Sequence, residues 1–286
     1  MRIIYWIPVL LLFVLAGCQT ATQSRSVAPE QPRSNVPYAE VIAQPFQPAA
    51  SSQSYGDDAL QTIYRWDATG VPQAVMVFVH GGCWLNAYDY KHARGLFSAL
   101  ASQGITTFAI EYRRTGDDGG GWPGTLNDIN KALVVTQLWL EQSGLSELPA
   151  SLVGHSAGGH LALLAAQQEA GKLNTDFFEQ VVGLAAITDP IRYARGNNSC
   201  QTATPGFFSG EPADKPQSYK DGTPSATKIA VPVILMQGTA DTIVPPIQSQ
   251  MPGAKVIMVD DAGHFDYLHA NSNAYGLLVK LLTQER

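Results

Sequence analysis

GHSAGGH, residues 154–160, stands between the apolar run 151–153 and an alanine- and leucine-rich stretch that reaches residue 169. Glycines two positions either side of Ser156 are costly in a regular element, because glycine weakens helices and strands alike. The pattern suits a tight strand-to-helix turn. There, side chains two before and two after the serine would strike the neighbouring strand and helix, and glycine removes them. Such a turn lifts the hydroxyl of Ser156 to the carboxyl edge of a sheet and aims helix N-terminal amides at developing negative charge. The pentapeptide alone is a weak signal, and its place between an apolar strand and a helix gives it weight.

Working outward, short apolar runs alternate with helical periods. Runs at 74–79, 105–110, 151–153, 181–187, 231–236 and 255–259 are apolar on both faces, as in strands buried within a parallel sheet. Residues 60–66 alternate more and predict an edge strand. The spacing predicts helices over 91–102, 126–141, 157–169 and 273–284. In the second, Ile129, Leu133, Val134 and Leu140 face inward, and Thr125 with Asp128 forms a capping box. In the last, Leu277, Leu278, Leu281 and Leu282 form the apolar stripe. This alternation predicts a doubly wound, mostly parallel α/β sheet with helices on both faces. Residues 190–228 are rich in Gly, Pro, Ser and Thr and read as a long loop, either a lid or a solvated insertion.

A serine nucleophile needs a base. His155 and His160 lie within the motif: His155 should project away from the nucleophile, and His160 should bond or pack beneath the turn. His264 follows the run 255–259 in a loop before the last helix, on the same sheet edge as Ser156, and is the candidate base. His269 is second. Asp241, after the run 231–236, is the candidate orienting acid, ahead of Asp189, Asp260, Asp261 and Asp266. The chain order Ser, Asp, His suits such a triad. His80-Gly81-Gly82-Cys83-Trp84, after the run 74–79, brings backbone amides close to a substrate oxygen. With the amide of Ala157 it makes a candidate oxyanion hole.

These pieces resemble the α/β-hydrolase superfamily, in its HGGxW-bearing serine esterase branch with kynurenine-formamidase-like and hormone-sensitive-lipase-like enzymes. The matching stretches are HGGCW at 80–84, EYRR at 111–114, GHSAGGH at 154–160, GTADTIVP at 238–245 and GHF at 263–265, spread over residues 56–286. The resemblance implies a triad of Ser156, Asp241 and His264 and oxyanion donors at Gly82, Cys83 and Ala157. It implies cleavage of carboxylic esters with no cofactor and no metal. An arylformamidase-type amide hydrolase, a polysaccharide acyl esterase and a catalytically silent envelope binding protein are the alternatives. Cys83 departs from lipase-like relatives, which often carry glycine there. Glu111, Tyr112 and Arg113 are expected in a structural polar network. Trp84 and Trp122 are candidates for lining the pocket, with core packing the equal alternative for Trp84.

The 286 residues, 45% of them hydrophobic, are enough for one substantial core. A net charge of −6 offers no footprint for nucleic acid. At the N-terminus, Arg2 precedes the uncharged run 3–15, which as a helix spans roughly 20 Å, short of a bilayer core. With Leu15-Ala16-Gly17-Cys18 it resembles the signal and lipobox of a bacterial lipoprotein. That resemblance implies removal of residues 1–17 and acylation of Cys18, hence a membrane-anchored protein of the cell envelope, in the outer membrane where the host has one. Residues 18–55 carry no sustained apolar period and are expected to be a flexible tether, which would leave the site open. Cys83 and Cys200 could pair in an oxidising compartment, with free or buried thiols an equal alternative.

Overall fold

Residues Ala74–Val79 are buried throughout, and their alternation sorts them by face. Val75, Val77 and Val79 join one core cluster, whereas Ala74, Met76 and Phe78 join the other. A strand sends successive side chains to opposite faces, so apolar layers must cover both sides of this one.

The computed structural model describes residues 1–4, 32–168 and 177–284. The chain divides into a short unit, Met1–Gln31, and a domain, Pro32–Arg286. Within the domain's described residues, β1 (Ser51–Ser54), β2 (Thr62–Trp66), β3 (Ala74–Val79), β4 (Ile105–Ile110), β5 (Ala150–His155), β6 (Gln180–Leu184), β7 (Val233–Gly238) and β8 (Lys255–Val259) form one sheet. Its order is β1-β2-β4-β3-β5-β6-β7-β8. The β1–β2 and β2–β4 pairs are antiparallel and every later pair is parallel. The helices are α1 (Tyr38–Ala43), α2 (Arg94–Ser102), α3 (Gly124–Gln142), α4 (Ala157–Gln168), α5 (Pro190–Tyr193), α6 (Ser199–Phe208), α7 (Pro216–Asp221) and α8 (Asn273–Thr283). Residues of α3, α4 and α6 join the cluster of Val75 and Val77, and those of α1, α2 and α8 join that of Met76 and Phe78. This is the α/β-hydrolase architecture expected from the sequence. The carboxyl ends of β3, β5, β7 and β8 lie on one edge of their parallel sheet.

Several expectations are corrected. The tether expected over 18–55 does not extend through its second half, because residues 32–55 are built into the domain. Asp266 accepts the amides of Asn35 at 2.9 Å and Val36 at 2.8 Å. Gln44 donates to the Leu268 carbonyl at 2.7 Å and accepts the Ala270 amide at 2.9 Å. Further along, β1 pairs with β2, so residues 62–66 are not the sheet edge. The bonds of Asp266 and Gln44 join residues more than 200 apart and leave no local period. The expected signal segment, the Cys18 anchor and the first part of the tether fall in 5–31, outside the described residues. No helix of the described residues is long and apolar enough to cross a membrane.

The capping box at α3 is absent. Thr125 Oγ1 donates to the Arg113 carbonyl at 2.6 Å and accepts the Gly121 amide at 3.1 Å. Asp128 instead takes the Arg113 guanidinium at 2.7 Å. Val134 is exposed, while Ile129, Leu133 and Leu140 are buried. On α8 the buried stripe is Ala274, Tyr275, Leu278 and Leu282, with Leu277 exposed. The stretch 190–228 is not a long loop: it carries α5, α6, α7 and a 3₁₀ turn at Ala226–Lys228.

Candidate active site

The turn after β5 is as tight as its glycines imply. A Cβ on Gly154 would lie 2.2 Å from the Gly158 carbonyl oxygen, and one on Gly158 would lie 2.2 Å from that of Val79. Ser156 takes φ +56°, a left-handed conformation that costs a non-glycine residue about 1–3 kcal/mol. Neighbouring backbone holds it there. The Ser156 amide donates to the Leu184 carbonyl at 2.9 Å, and its carbonyl accepts the His160 amide at 3.1 Å. Ala157 begins α4, so its amide is among those a helix leaves unsatisfied.

Asp241 and His264, from the loops after β7 and β8, meet side chain to side chain. His264 Nδ1 lies 2.8 Å from Asp241 Oδ2. Asp241 Oδ1 accepts the amides of Ile243 and Val244, both at 2.8 Å, which fixes the carboxylate for that contact. Both side chains are buried. With Nδ1 donating to Asp241, the tautomer leaves Nε2 of His264 as the acceptor. Ser156, His264, Gly82 and Cys83 line one cavity of about 270 Å³, with Tyr38, Tyr88, His92, His155, Ser199, Cys200, Ile243 and Phe265. Among the described residues no cluster of His, Cys, Asp and Glu suited to a metal ion occurs.

The loop after β3 supplies the third wall. Gly82, Cys83 and Trp84 all have positive φ, at +118°, +55° and +58°. Behind it lies the polar network expected around Glu111. His80 Nε2 lies 3.2 Å from Glu111 Oε1, and Arg114 Nη1 lies 3.0 Å from the same oxygen. Tyr112 stacks on the His80 ring at 4.3 Å and donates to its carbonyl at 2.7 Å. Burial pushes the Glu111 carboxyl up, but the charges and hydrogen bonds of His80 and Arg114 outweigh it and hold the pKa below its ordinary value.

Other sequence candidates fall elsewhere. Asp189 caps α5 by accepting the Arg192 amide, and Asp266 holds the N-terminal segment. Neither these, Asp260, Asp261 nor His269 lines the cavity. His160 bonds beneath the turn as expected: its Nε2 lies 2.7 Å from the Gly222 carbonyl, and its Nδ1 accepts the Trp84 indole N–H at 3.3 Å. Neither Trp84 nor Trp122 lines this cavity. Trp84 is fully buried and stacks on Phe207 at 4.9 Å, and Trp122 packs on Phe208 at 5.5 Å.

His155 does not project away. It lines the cavity, and its Nε2 donates to the His264 carbonyl at 2.9 Å. Burial, then the nearby His264, holds its pKa well below the ordinary value. The ring is therefore a neutral brace beneath the backbone of His264. Tyr38 on α1, within the expected tether, lines the cavity with its ring 5.3 Å from that of Phe265. Cys83 and Cys200 form a disulfide. Spacing could not choose between paired and free thiols, since 117 residues separate them.

A family model described as BD-FAE matches residues 62–255. The chain is similar to esterase LipC of Mycobacterium tuberculosis, 26% identical over 214 residues, covering 68% of this chain and 52% of LipC. It thus spans about half the length of that relative. It is also similar to the probable carboxylic ester hydrolase LipM of the same organism, 33% identical over 100 residues, 35% of this chain and 22% of LipM. Among solved structures, esterase B from Lactobacillus Rhamnosis superposes with a TM-score of 0.67 at 19% identity, over 86% of this chain and 89% of that one. A truncated carbohydrate esterase from gut microbiota gives 0.66 at 18% identity, over 84% and 98%. At that identity the likeness is one of fold.

Proposed function

The chain belongs to the BD-FAE family, and from that premise we propose that it hydrolyses carboxylic esters through an acyl-enzyme on Ser156. His264 takes the Ser156 proton as Oγ attacks the ester carbonyl, and Asp241 orients and stabilises the resulting imidazolium. Amides of Gly82, Cys83 and Ala157 bind the oxyanion, each worth about 3 kcal/mol to the transition state. The alcohol leaves with the proton from His264. Water then repeats the sequence and frees the acid. The observation carrying this reading is the 2.8 Å contact of His264 with Asp241 on the rim of the cavity lined by Ser156. A fluorophosphonate probe tests it. The expected result is labelling of the wild type and none of Ser156→Ala. No labelling of the folded wild type would replace it with a catalytically silent binding protein.

A polyhydroxylated alcohol half is the second reading. A cleft of about 220 Å³ shares Tyr38 and Tyr88 with the catalytic cavity and adds Tyr64, Tyr90, Asn86, Asp89 and Lys91. Tyrosine faces ringed by donors and acceptors suit a sugar better than an alkyl chain. Turnover of acetylated xylan above p-nitrophenyl acetate, relative to N-formylkynurenine, supports a polysaccharide acyl esterase. Preference for the formamide supports an arylformamidase-type enzyme.

For location, the proposed setting is the bacterial cell envelope, with the domain tethered to the membrane by acylated Cys18. A disulfide suits such an oxidising compartment. Gln19 after the cysteine, rather than Asp, favours the outer membrane where the host has one. Incorporation of an alkyne-palmitate label into wild type but not Cys18→Ser checks it. Release of the wild type into the soluble fraction refutes it.

A further inference from the structure

Three consecutive residues of the loop after β3 have positive φ, and two of them, Cys83 and Trp84, are not glycine. Such a conformation is strained for a residue with a side chain and persists only where its surroundings over-determine it. One helix does so for both. Trp84 stacks its indole on Phe207 of α6 at 4.9 Å. Cys83 is bonded to Cys200 of α6, with the Cα atoms 4.8 Å apart. Cys200 and Phe207 are seven residues apart, two turns of helix, so they share one face.

The helix itself is fixed on the acid side of the site. Asn198 caps α6 in a capping box with Gln201. The Asn198 side-chain amide also donates to the Ile243 carbonyl at 2.8 Å, and the Tyr193 hydroxyl donates to the same oxygen at 2.9 Å. Ile243 in turn donates its amide to Asp241. One frame therefore spans the loop carrying Asp241 and the loop carrying Cys83.

The amide N–H of Cys83 lies in the peptide plane between Gly82 and Cys83. Gly82 has no side chain to resist rotation of that plane, whose carbonyl edge is held by the Leu85 amide at 2.9 Å. Trp84 anchors only the residue beyond it. The disulfide adds a second tie on the Cys83 side of the plane, since the Cys83 backbone cannot turn about the Leu85 bond without drawing Sγ away from Cys200. We propose that the Cys83–Cys200 disulfide is a positioning element that holds the Cys83 amide toward the oxyanion, so that turnover depends on the oxidised state. This rests on the triad and oxyanion reading above.

The test uses the purified full chain with p-nitrophenyl acetate as substrate. Dithiothreitol reduces the bond in two exchanges. One reductant thiolate attacks a cysteine sulfur and expels the other, and the second closes the reductant's own disulfide and frees the first. Two electrons and two protons pass to the cysteines. After reduction, kcat is expected to fall by about tenfold or more, as for weakening of one oxyanion donor. KM should stay within about twofold. The acid limb of the pH profile should keep its midpoint, because His264 and Asp241 are untouched. Reoxidation should restore kcat. Cys200→Ser should match the reduced wild type and ignore the reductant, and Cys83→Ser/Cys200→Ser should be no worse than either single variant.

Reduced wild type with both thiols titrated and kcat within about twofold of the oxidised enzyme overturns the proposal. So does loss of activity together with far-UV ellipticity, which makes the bond a stabiliser only. A purified, active wild type whose two cysteines titrate as free thiols overturns it too. Oxidised wild type that neither turns over esters nor takes the fluorophosphonate refutes the triad instead, and the positioning role falls with it.

Discussion

His160 should make the domain sensitive to mild acid, with its ring as the cause. The imidazole is wholly buried, and both nitrogens are engaged as a neutral tautomer. Nε2–H donates to the Gly222 carbonyl, and Nδ1 accepts from Trp84. A proton on Nδ1 would oppose the indole N–H and place a charge in the core. Burial accordingly lowers the pKa from 6.5 to about 4, against the opposing pull of the Gly222 carbonyl. The unfolded chain binds this proton below about pH 6.5, the native chain only below about pH 4. Stability is thus fully present above the unfolded value, falls as pH drops through the interval, and is level again below it. Between pH 7 and pH 5 the ring removes about 2 kcal/mol. Urea unfolding of oxidised wild type and of His160→Gln at the two pH values isolates this. Glutamine can still donate to one neighbour and accept from the other but cannot titrate. His92, also lowered to about 4 chiefly by burial and then by His80, remains in both proteins and cancels. The variant should lose about 2 kcal/mol less than wild type on acidification. Equal losses in the two proteins would refute the assignment.

Asp241→Asn should keep the fold and lower kcat for an activated ester by about 10⁴-fold, through the wrong tautomer of His264; steady-state kinetics beside a thermal melt check it. Arg113→Ala removes the charge that pairs with the buried carboxylate of Asp128, leaving it the Gln61 side chain and the residue-113 amide, and should cost about 3 kcal/mol in urea unfolding. Asp266→Ala frees the amides of Asn35, Val36 and Gly263; new protease cleavage within residues 32–45 is expected, with a rise in KM as Tyr38 leaves the cavity. Gly158→Ala places a methyl 2.2 Å from the Val79 carbonyl oxygen and should abolish soluble expression, whereas Gly276→Ala, with nothing near, should not.

What the sequence made legible is what local periodicity and fixed spacing encode. The runs 74–79, 105–110 and 255–259 match their strands end to end because each is bounded by turn residues; the first two are paired on both edges and the third, the outermost strand, with β7 alone. The turn around Ser156 was legible because its glycine spacing falls within five residues, although the space Gly158 keeps clear belongs to Val79 and His80 of another strand and its loop. Asp241 and His264 were legible because each follows a recognisable strand by a few residues, and parallel strands bring those ends to one edge. The segment 32–55 was illegible for the opposite reason. Apart from Val36 and Val41 it buries little apolar surface, and its order comes from Asp266, Gln44 and strand pairing with β2. The role of His155 depends on a carbonyl 109 residues away.

The insertion 190–228 shows why composition misleads when few residues carry the packing. Its Ser, Thr, Gly and Pro content reads as solvated chain, yet Tyr193, Cys200, Thr204, Phe207, Phe208 and Tyr219 are all buried. Four of the six are aromatic, and one fully buried aromatic does the work of several small residues, because each removes roughly 150–250 Å². A hydrophobic average over the stretch therefore underestimates the surface it buries. The same few residues reach the loop of Cys83 on one side and the loop of Asp241 on the other. A segment with those two attachments cannot swing clear of the cavity as a lid without breaking a disulfide or displacing the loop of Asp241. Its place is structural with respect to closure and direct with respect to catalytic geometry. Tyr38 and Tyr88, which line the same cavity from outside that segment, meet edge to face with centroids 6.1 Å apart.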